Sequence, residues 1–159
     1  MIQFPRQSYF LGQSIRHGGW YPDRKRRMAH ASMAHWRSGP RQSNVHEDLE
    51  IRGGSSKLLT AEAEIFHWPF RDVDEQRETN ENYSTLLAEG VAQNWKEQGK
   101  NAPSKLYIAF KAGLKFVENY IFKLGILDGR AGLQIAIGSA QSMKWRLQKA
   151  KQLLLEGSR

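Results

Sequence analysis

Two segments of this chain hold residue types that could do chemistry: His17-Gly18-Gly19-Trp20-Tyr21-Pro22-Asp23-Arg24 and, further along, Val45-His46-Glu47. The glycine pair opens backbone conformations closed to other residues, and the proline fixes the exit of the turn. Such a turn presents two large aromatic rings beside charged groups. A sugar offers apolar C–H faces and polar hydroxyl edges, so stacking rings with neighbouring donors and acceptors suit it. Trp20 and Tyr21 are placed to stack on a saccharide, with Arg24 reaching a phosphate or an acidic sugar. Glu47 supplies a carboxylate able to take a proton. His46 would orient an acceptor, or Glu47 itself, through a ring N–H. Each residue also has a plain structural reading. The aromatics would pack around a glycine turn, Glu47 would be an exposed strand residue paired with Arg52 or Lys57, and His46 an ordinary strand histidine.

Composition bounds what can hold these groups in place. At 159 residues the chain can build a modest core. There is no cysteine, which removes disulfides, zinc–thiolate sites and a thiol nucleophile, and fits a reducing cytoplasm. The amino terminus lacks the regions of a signal peptide. The longest mostly apolar run, residues 124–137, is broken by Asp128 and Arg130 and is shorter than the roughly 20 residues that span a bilayer. The net charge of +8 is segregated: +7 over residues 1–45, −7 over 46–98 and +8 over 99–159. A basic chain attracts nucleic acid, anionic lipid or phosphorylated ligands, and solvated charged faces are the plain alternative.

The elements that must position the motifs are legible from periodicity. Residues 2–9 read as a short strand around Pro5, followed by a turn or short helix through Gly12 to Arg16. Residues 24–36 alternate weakly, with Met28, Met33 and Trp36 as inward positions, and read as one strand or a short hairpin; Ser38-Gly39-Pro40 reads as a turn. Residues 45–51 alternate with period two, which predicts a strand and sends Asp48, the competitor of Glu47, to the other face. Gly53-Gly54-Ser55-Ser56 closes that strand, and a second extended stretch over 58–68 completes an expected hairpin. After Pro69 the period changes. A helix is expected from about Val73 to before Gly99, with acidic residues in its first turn and an apolar face of Tyr83, Leu86, Leu87, Val91 and Trp95. Ser104 is an N-cap for a second helix over 105–124, and a third spans 130–156. Its small residues Ala131, Gly132, Ala136 and Gly138 imply a close neighbour. The expected fold class is α+β: a small mixed sheet over residues 1–70, then three helices over 71–159.

Taken in order, Gly18-Gly19-Trp20-Tyr21-Pro22-Asp23-Arg24, Val45-His46-Glu47, Phe66-His67, Asn82-Tyr83-Ser84 and Gly125-Ile126-Leu127-Asp128-Gly129 resemble bacterial family-two inverting glycosyltransferases. The nearest branch adds sugars to the lipopolysaccharide core. Each motif alone is weak, but five in order, over about residues 3–150, are a specific pattern. The resemblance is to the carboxy-terminal, acceptor-binding half of these α/β enzymes, of the GT-A type. Their amino-terminal half carries the sugar-nucleotide strands and an Asp-x-Asp metal motif. Asp72-Val73-Asp74 has those letters but falls after the His67 strand, in a segment leading into a helix, and does not match. The resemblance implies a fragment or truncated product, inactive alone and dependent on a chain supplying the missing half.

The same resemblance implies roles. Glu47 becomes the base that takes the proton from the acceptor hydroxyl as it attacks the anomeric carbon. His67 becomes a ligand completing a site for manganese or magnesium, against the plainer reading of a structural histidine. That metal is expected for the full-length enzyme and not held tightly by this chain. Asp128 matches a family position, with a helix N-cap as the competing reading. The implied reactants are a nucleotide sugar and a lipid-linked saccharide, at the inner face of the cytoplasmic membrane.

The second and third helices interleave Lys105, Lys111, Lys115, Lys123, Lys144, Arg146, Lys149 and Lys151 with Tyr107, Phe110, Phe116, Tyr120, Phe122 and Trp145. That composition suits an anionic membrane surface, with a helix pair packing its aromatics inward as the plain reading. Nucleic acid fits the charge but is not expected as a specific partner. The alternative function is a non-catalytic basic module binding anionic lipid or nucleic acid.

Overall fold

The computed structural model describes residues 1–38, 47–52 and 57–156, with the backbone alone at 37, 38, 47 and 48. Strand β1 (Ile2–Phe10) is the centre of a five-stranded mixed sheet. On one side it pairs antiparallel with β2 (Gln13–Ile15) and β3 (Asp23–Met28). On the other it pairs parallel with β6 (Leu59–Thr60) and β7 (Ile65–His67). A second, two-stranded antiparallel sheet joins β4 (Ala34–Ser38) to β5 (Glu47–Ile51). Three helices follow: α1 (Val73–Glu97), α2 (Lys105–Val117) and α3 (Gly129–Glu156).

The α+β class and the order of sheet then helices agree with expectation, while several local readings are corrected. The expected turn is present at residues 11–12, but residues 13–15 leave it as a strand rather than a helix. Leu11 and Gly12 both take positive φ, 49° and 78°, and Phe10 faces Gln13 across the two-residue loop. Two consecutive positive φ values match the right-handed twist of a tight hairpin. The expected hairpin between residues 45–51 and 58–68 is also absent. β5 instead pairs with β4, and β6 and β7 cross to β1. The stretch 24–36 divides into β3, a 3-10 turn (Ala31–Met33) and the start of β4, and Met28, Met33 and Trp36 are exposed rather than inward. The Gly39-Pro40 part of the predicted turn and Gly53-Gly54-Ser55-Ser56 lie outside the described residues.

The helices begin where side chains can satisfy free backbone donors. The Asp72 carboxylate accepts from Glu75 N at 2.8 Å, and Ser104 Oγ accepts from Tyr107 N at 3.1 Å. α1 lies against α3 through small and polar residues. Gln134 Nε2 reaches Gln76 Oε1 at 3.3 Å, Asn80 Nδ2 reaches the Gly138 carbonyl at 3.3 Å, and Ser84 and Ser142 hydroxyls meet at 3.0 Å. Partners advance together along both chains, so the two helices run parallel. The buried face of α1 is therefore Gln76, Ser84, Ala88 and Ala92. Tyr83 and Leu86, expected in the apolar face, are exposed, while Val91 and Trp95 flank a cluster of Ala88, Ala92 and Ala150.

The expected close approach to α3 is present. A Cβ on Gly132 would sit 1.8 Å from the Gly125 carbonyl oxygen, and Ala131 and Ala136 are fully buried. A second cluster draws on both halves of the chain: Phe10 and Ile15 from the sheet, Ala131 and Ile135 from α3, with Trp20, Phe70 and Val73 packed around them. α2 ends in a π-helical turn (Glu118–Phe122), and a 3-10 turn (Gly125–Asp128) delivers the chain to α3.

Candidate functional site

The glycine turn is built as its residue types require. Gly18 and Gly19 both adopt positive φ, 66° and 84°, where side chains are strained. Gly18 N donates to the Lys123 carbonyl at 2.8 Å, and a Cβ on Gly19 would fall 2.9 Å from Lys123 Cδ. The Tyr21–Pro22 bond is cis. Beyond it, β3 opens with Asp23, whose carboxylate pairs with Arg6 and, at 3.2 Å, with Lys25.

Asp128 ties this turn to the helical half. Its carboxylate is buried and accepts from Arg16 N at 3.3 Å and His17 N at 2.8 Å, with His17 Nδ1 at 2.9 Å. Its own carbonyl accepts from Gln13 Nε2 at 2.6 Å. Asp128 is therefore a cross-link to the loop in front of Gly18 rather than the N-cap of α3. Two motif segments separated by 111 residues meet at one carboxylate. In sequence, its sole signal was its place between Leu127 and Gly129.

Trp20 and Tyr21 part company. The Trp20 ring packs at 5.9 Å from Phe10 and 6.1 Å from Phe70, half-buried in the core cluster. Tyr21 is half-buried, with its hydroxyl 3.4 Å from Glu64 Oε1 and the Arg16 guanidinium 5.8 Å from its ring centre. Arg24 is exposed on β3. Glu47 is the first residue of β5 and pairs with Ser38; His46 lies outside the described residues.

His67 ends β7 opposite Ser8 of β1. Its Nδ1 is buried with no hydrogen-bond partner among the described residues. Burial, then the Arg6 charge, hold its pKa below the ordinary histidine value; Asp23 opposes the fall and Lys25 adds to it. A neutral imidazole suits a metal, yet two of these three charged neighbours are cations and the third, Asp23, is already paired with both. Among the described residues no group of three His, Cys, Asp or Glu could hold a metal ion. The described surroundings of His67 do not fit a divalent ion.

One feature escaped the sequence reading. Tyr9, Phe66 and Trp68 form an aromatic platform, Tyr9 stacked on Trp68 at 5.2 Å and Phe66 edge-on to Tyr9 at 5.9 Å, with Phe66 and Trp68 exposed. The signal was the alternation Phe66-His67-Trp68, which in a strand puts both aromatics on one face. A shallow cleft lined by Gln148, Lys151, Gln152, Leu155 and Glu156 lies in the later part of α3. It begins about 30 Å along the helix from the end that meets the glycine turn, and so is no part of this site.

No protein-family model and no solved structure matches this chain. What the coordinates define is its class, an α+β protein in which a mixed sheet is locked to a parallel helix pair.

Proposed function

We propose that the chain is the acceptor-binding half of an inverting glycosyltransferase of the family-two, GT-A type. The complete enzyme would transfer a sugar from a nucleotide sugar to a cell-envelope saccharide of the lipopolysaccharide core. The observation that supports this reading best is the junction at Asp128, which joins the Gly-Gly-Trp-Tyr-Pro turn to the Gly-Ile-Leu-Asp-Gly turn. A rigid, glycine-built turn beside aromatic rings and exposed cations is a suitable cradle for a sugar. Tyr21 and Arg24 are the reachable members, and Trp20 braces the turn from the core side.

Glu47 is the proposed base. In inverting transfer it takes the proton of the acceptor hydroxyl while that oxygen bonds to the anomeric carbon and the nucleoside diphosphate leaves with the bonding pair. His46 would orient the acceptor. Arg6 and Lys25, near the neutral His67, add positive character to the same sheet and suit a phosphorylated reactant better than a bare cation. The divalent metal of the complete enzyme would need carboxylates from the other half. On this reading the chain works at the inner face of the cytoplasmic membrane, and no helix among the described residues is long and apolar enough to cross a membrane.

The test is transfer in trans. Supplied with a nucleotide-sugar-binding half, the chain should transfer with inversion, and Glu47→Gln should lower turnover by at least about 100-fold with little change in donor binding. Near-normal turnover in that variant removes Glu47 from the role and moves it to Asp48. A basic module that binds nucleic acid or anionic lipid without catalysis is the alternative; it has no use for the glycine turn or its carboxylate lock.

A further inference from the structure

The apolar side chains of α2 are arranged the wrong way round for a core helix. Ile108 is the one buried residue of α2 itself, and Asn119 the one buried residue of the π-helical turn. The outward face carries Leu106, Phe110, Leu114, Val117 and Ile121 at three- and four-residue steps, with Phe122 exposed beside the last. Leu106 is 80 % exposed, Phe110 61 % and Phe122 78 %. The connection to α3 continues the surface with Leu127, 64 % exposed. An apolar stripe on this scale marks an interaction surface. α3 differs: its face toward α1 and the sheet is buried at Ala131, Ile135, Ala136, Gly138 and Ala150.

Charge selects the occupant. Residues 99–130 contain six Lys or Arg and two acidic residues. Both acids are spent internally. Asp128 is buried in the turn lock, and Glu118 is clamped by Lys115 at 3.0 Å and Lys123 at 2.5 Å. The segment keeps a net charge of +4, and Lys105, exposed at the start of the stripe, and Lys111, half-buried along its side, lie outside that clamp and give the stripe a cationic rim. A second copy would set this rim against itself, since a two-fold interface presents the same patch twice. Nucleic acid would meet the lysines but leave the aliphatic stripe unused. A bilayer with anionic headgroups satisfies both, taking the stripe into its acyl boundary while the lysines snorkel to lipid phosphate.

We infer that α2 and its π-helical end form an in-plane membrane anchor, inserting the face of Leu106, Phe110, Leu114 and Phe122 into anionic lipid. At about 20 Å long, α2 lies along the interface instead of crossing it. This narrows the expected membrane surface from both basic helices to one face of one helix. It is independent of the saccharide chemistry, so a vesicle result and a transfer result can fail separately.

Co-sedimentation of the full chain with phosphatidylcholine vesicles, with and without about 30 % phosphatidylglycerol, tests it. Partitioning should be at least about 10-fold stronger on the anionic vesicles and should weaken as salt rises from about 0.1 to 0.5 M. Phe110→Ser with Phe122→Ser should cut binding at least about 10-fold while leaving the circular dichroism and Tm unchanged, because both rings are solvent-facing. Lys105→Glu with Lys111→Glu, which leaves the apolar stripe intact, should lose the preference for anionic lipid. Binding unaffected by the serine substitutions would overturn the proposal. So would a dimer that those substitutions dissolve, or tighter binding to DNA than to anionic vesicles.

Discussion

The Asp128 carboxylate meets two backbone N–H groups and an imidazole nitrogen, and an isosteric amide cannot replace it. Asparagine would turn one acceptor into a donor facing donors, at a cost of about 2–3 kcal/mol. Urea unfolding of Asp128→Asn should show that loss, and His17→Ala, which removes one partner and keeps the two backbone bonds, should lose less. In sequence, Asp128 could be read as a family position or a cap; the lock was hidden because its partner lies 111 residues away. The glycine pair, by contrast, could be read directly, because positive φ is a demand few residue types meet. Trp20 was legible as a large ring beside that turn but not as one wedged between Phe10 and Phe70. His67 gives a pH test. Its folded pKa lies below 6.5, so the unfolded chain binds that proton more readily. Stability is then full above the ordinary value and is lost as pH falls through the lower folded one. Tm should fall as pH is lowered below about 6.5, and His67→Gln should flatten that fall.

Helices and strands were recoverable to different depths. α2 and α3 followed from caps, small residues and apolar spacing, all local properties. The mispaired strands share one cause: a period-two run shows that a strand exists but not which neighbour it takes. The 45–51 run was real, yet its hydrogen bonds go to β4, while β6 and β7 add in parallel to β1. The Leu11–Gly12 turn lacked the Asn-Gly signature of its type, so the first hairpin was missed. For α1 the large apolar residues pointed to a face beside the buried one, because the partner helix offers small residues and the contact face is filled by Ala and Ser. Such close packing makes a sharp prediction. Gly132→Ala would drive a methyl into the Gly125 backbone and should cost about 2–3 kcal/mol or prevent folding. Gly138→Ala meets the Gln76 and Asn80 side chains at 3.0–3.1 Å, groups that can move aside, and should cost less. Thermal unfolding of the two variants side by side reads the difference.

At the scale of the whole molecule, the buried clusters are small and rich in alanine, and α2 leaves its large apolar residues in solvent. Stability should sit at the low end of the usual range, about 5 kcal/mol or less by urea denaturation. The charge segregation read from the sequence is partly brought together by the fold, where Lys149 of the basic α3 lies 3.8 Å from Glu81 of the acidic α1. On the reading proposed above, donor chemistry falls to the other half of the enzyme and acceptor recognition to this chain; among the described residues no group of three His, Cys, Asp or Glu could hold a metal ion. Titration calorimetry of the full chain against a lipopolysaccharide-core oligosaccharide and, separately, a nucleotide sugar with manganese tests this division. Saccharide binding should be saturable and weakened about 10-fold by Tyr21→Ala, and the nucleotide sugar should not bind. Micromolar, metal-dependent binding of the nucleotide sugar, or no saccharide binding, would contradict that division.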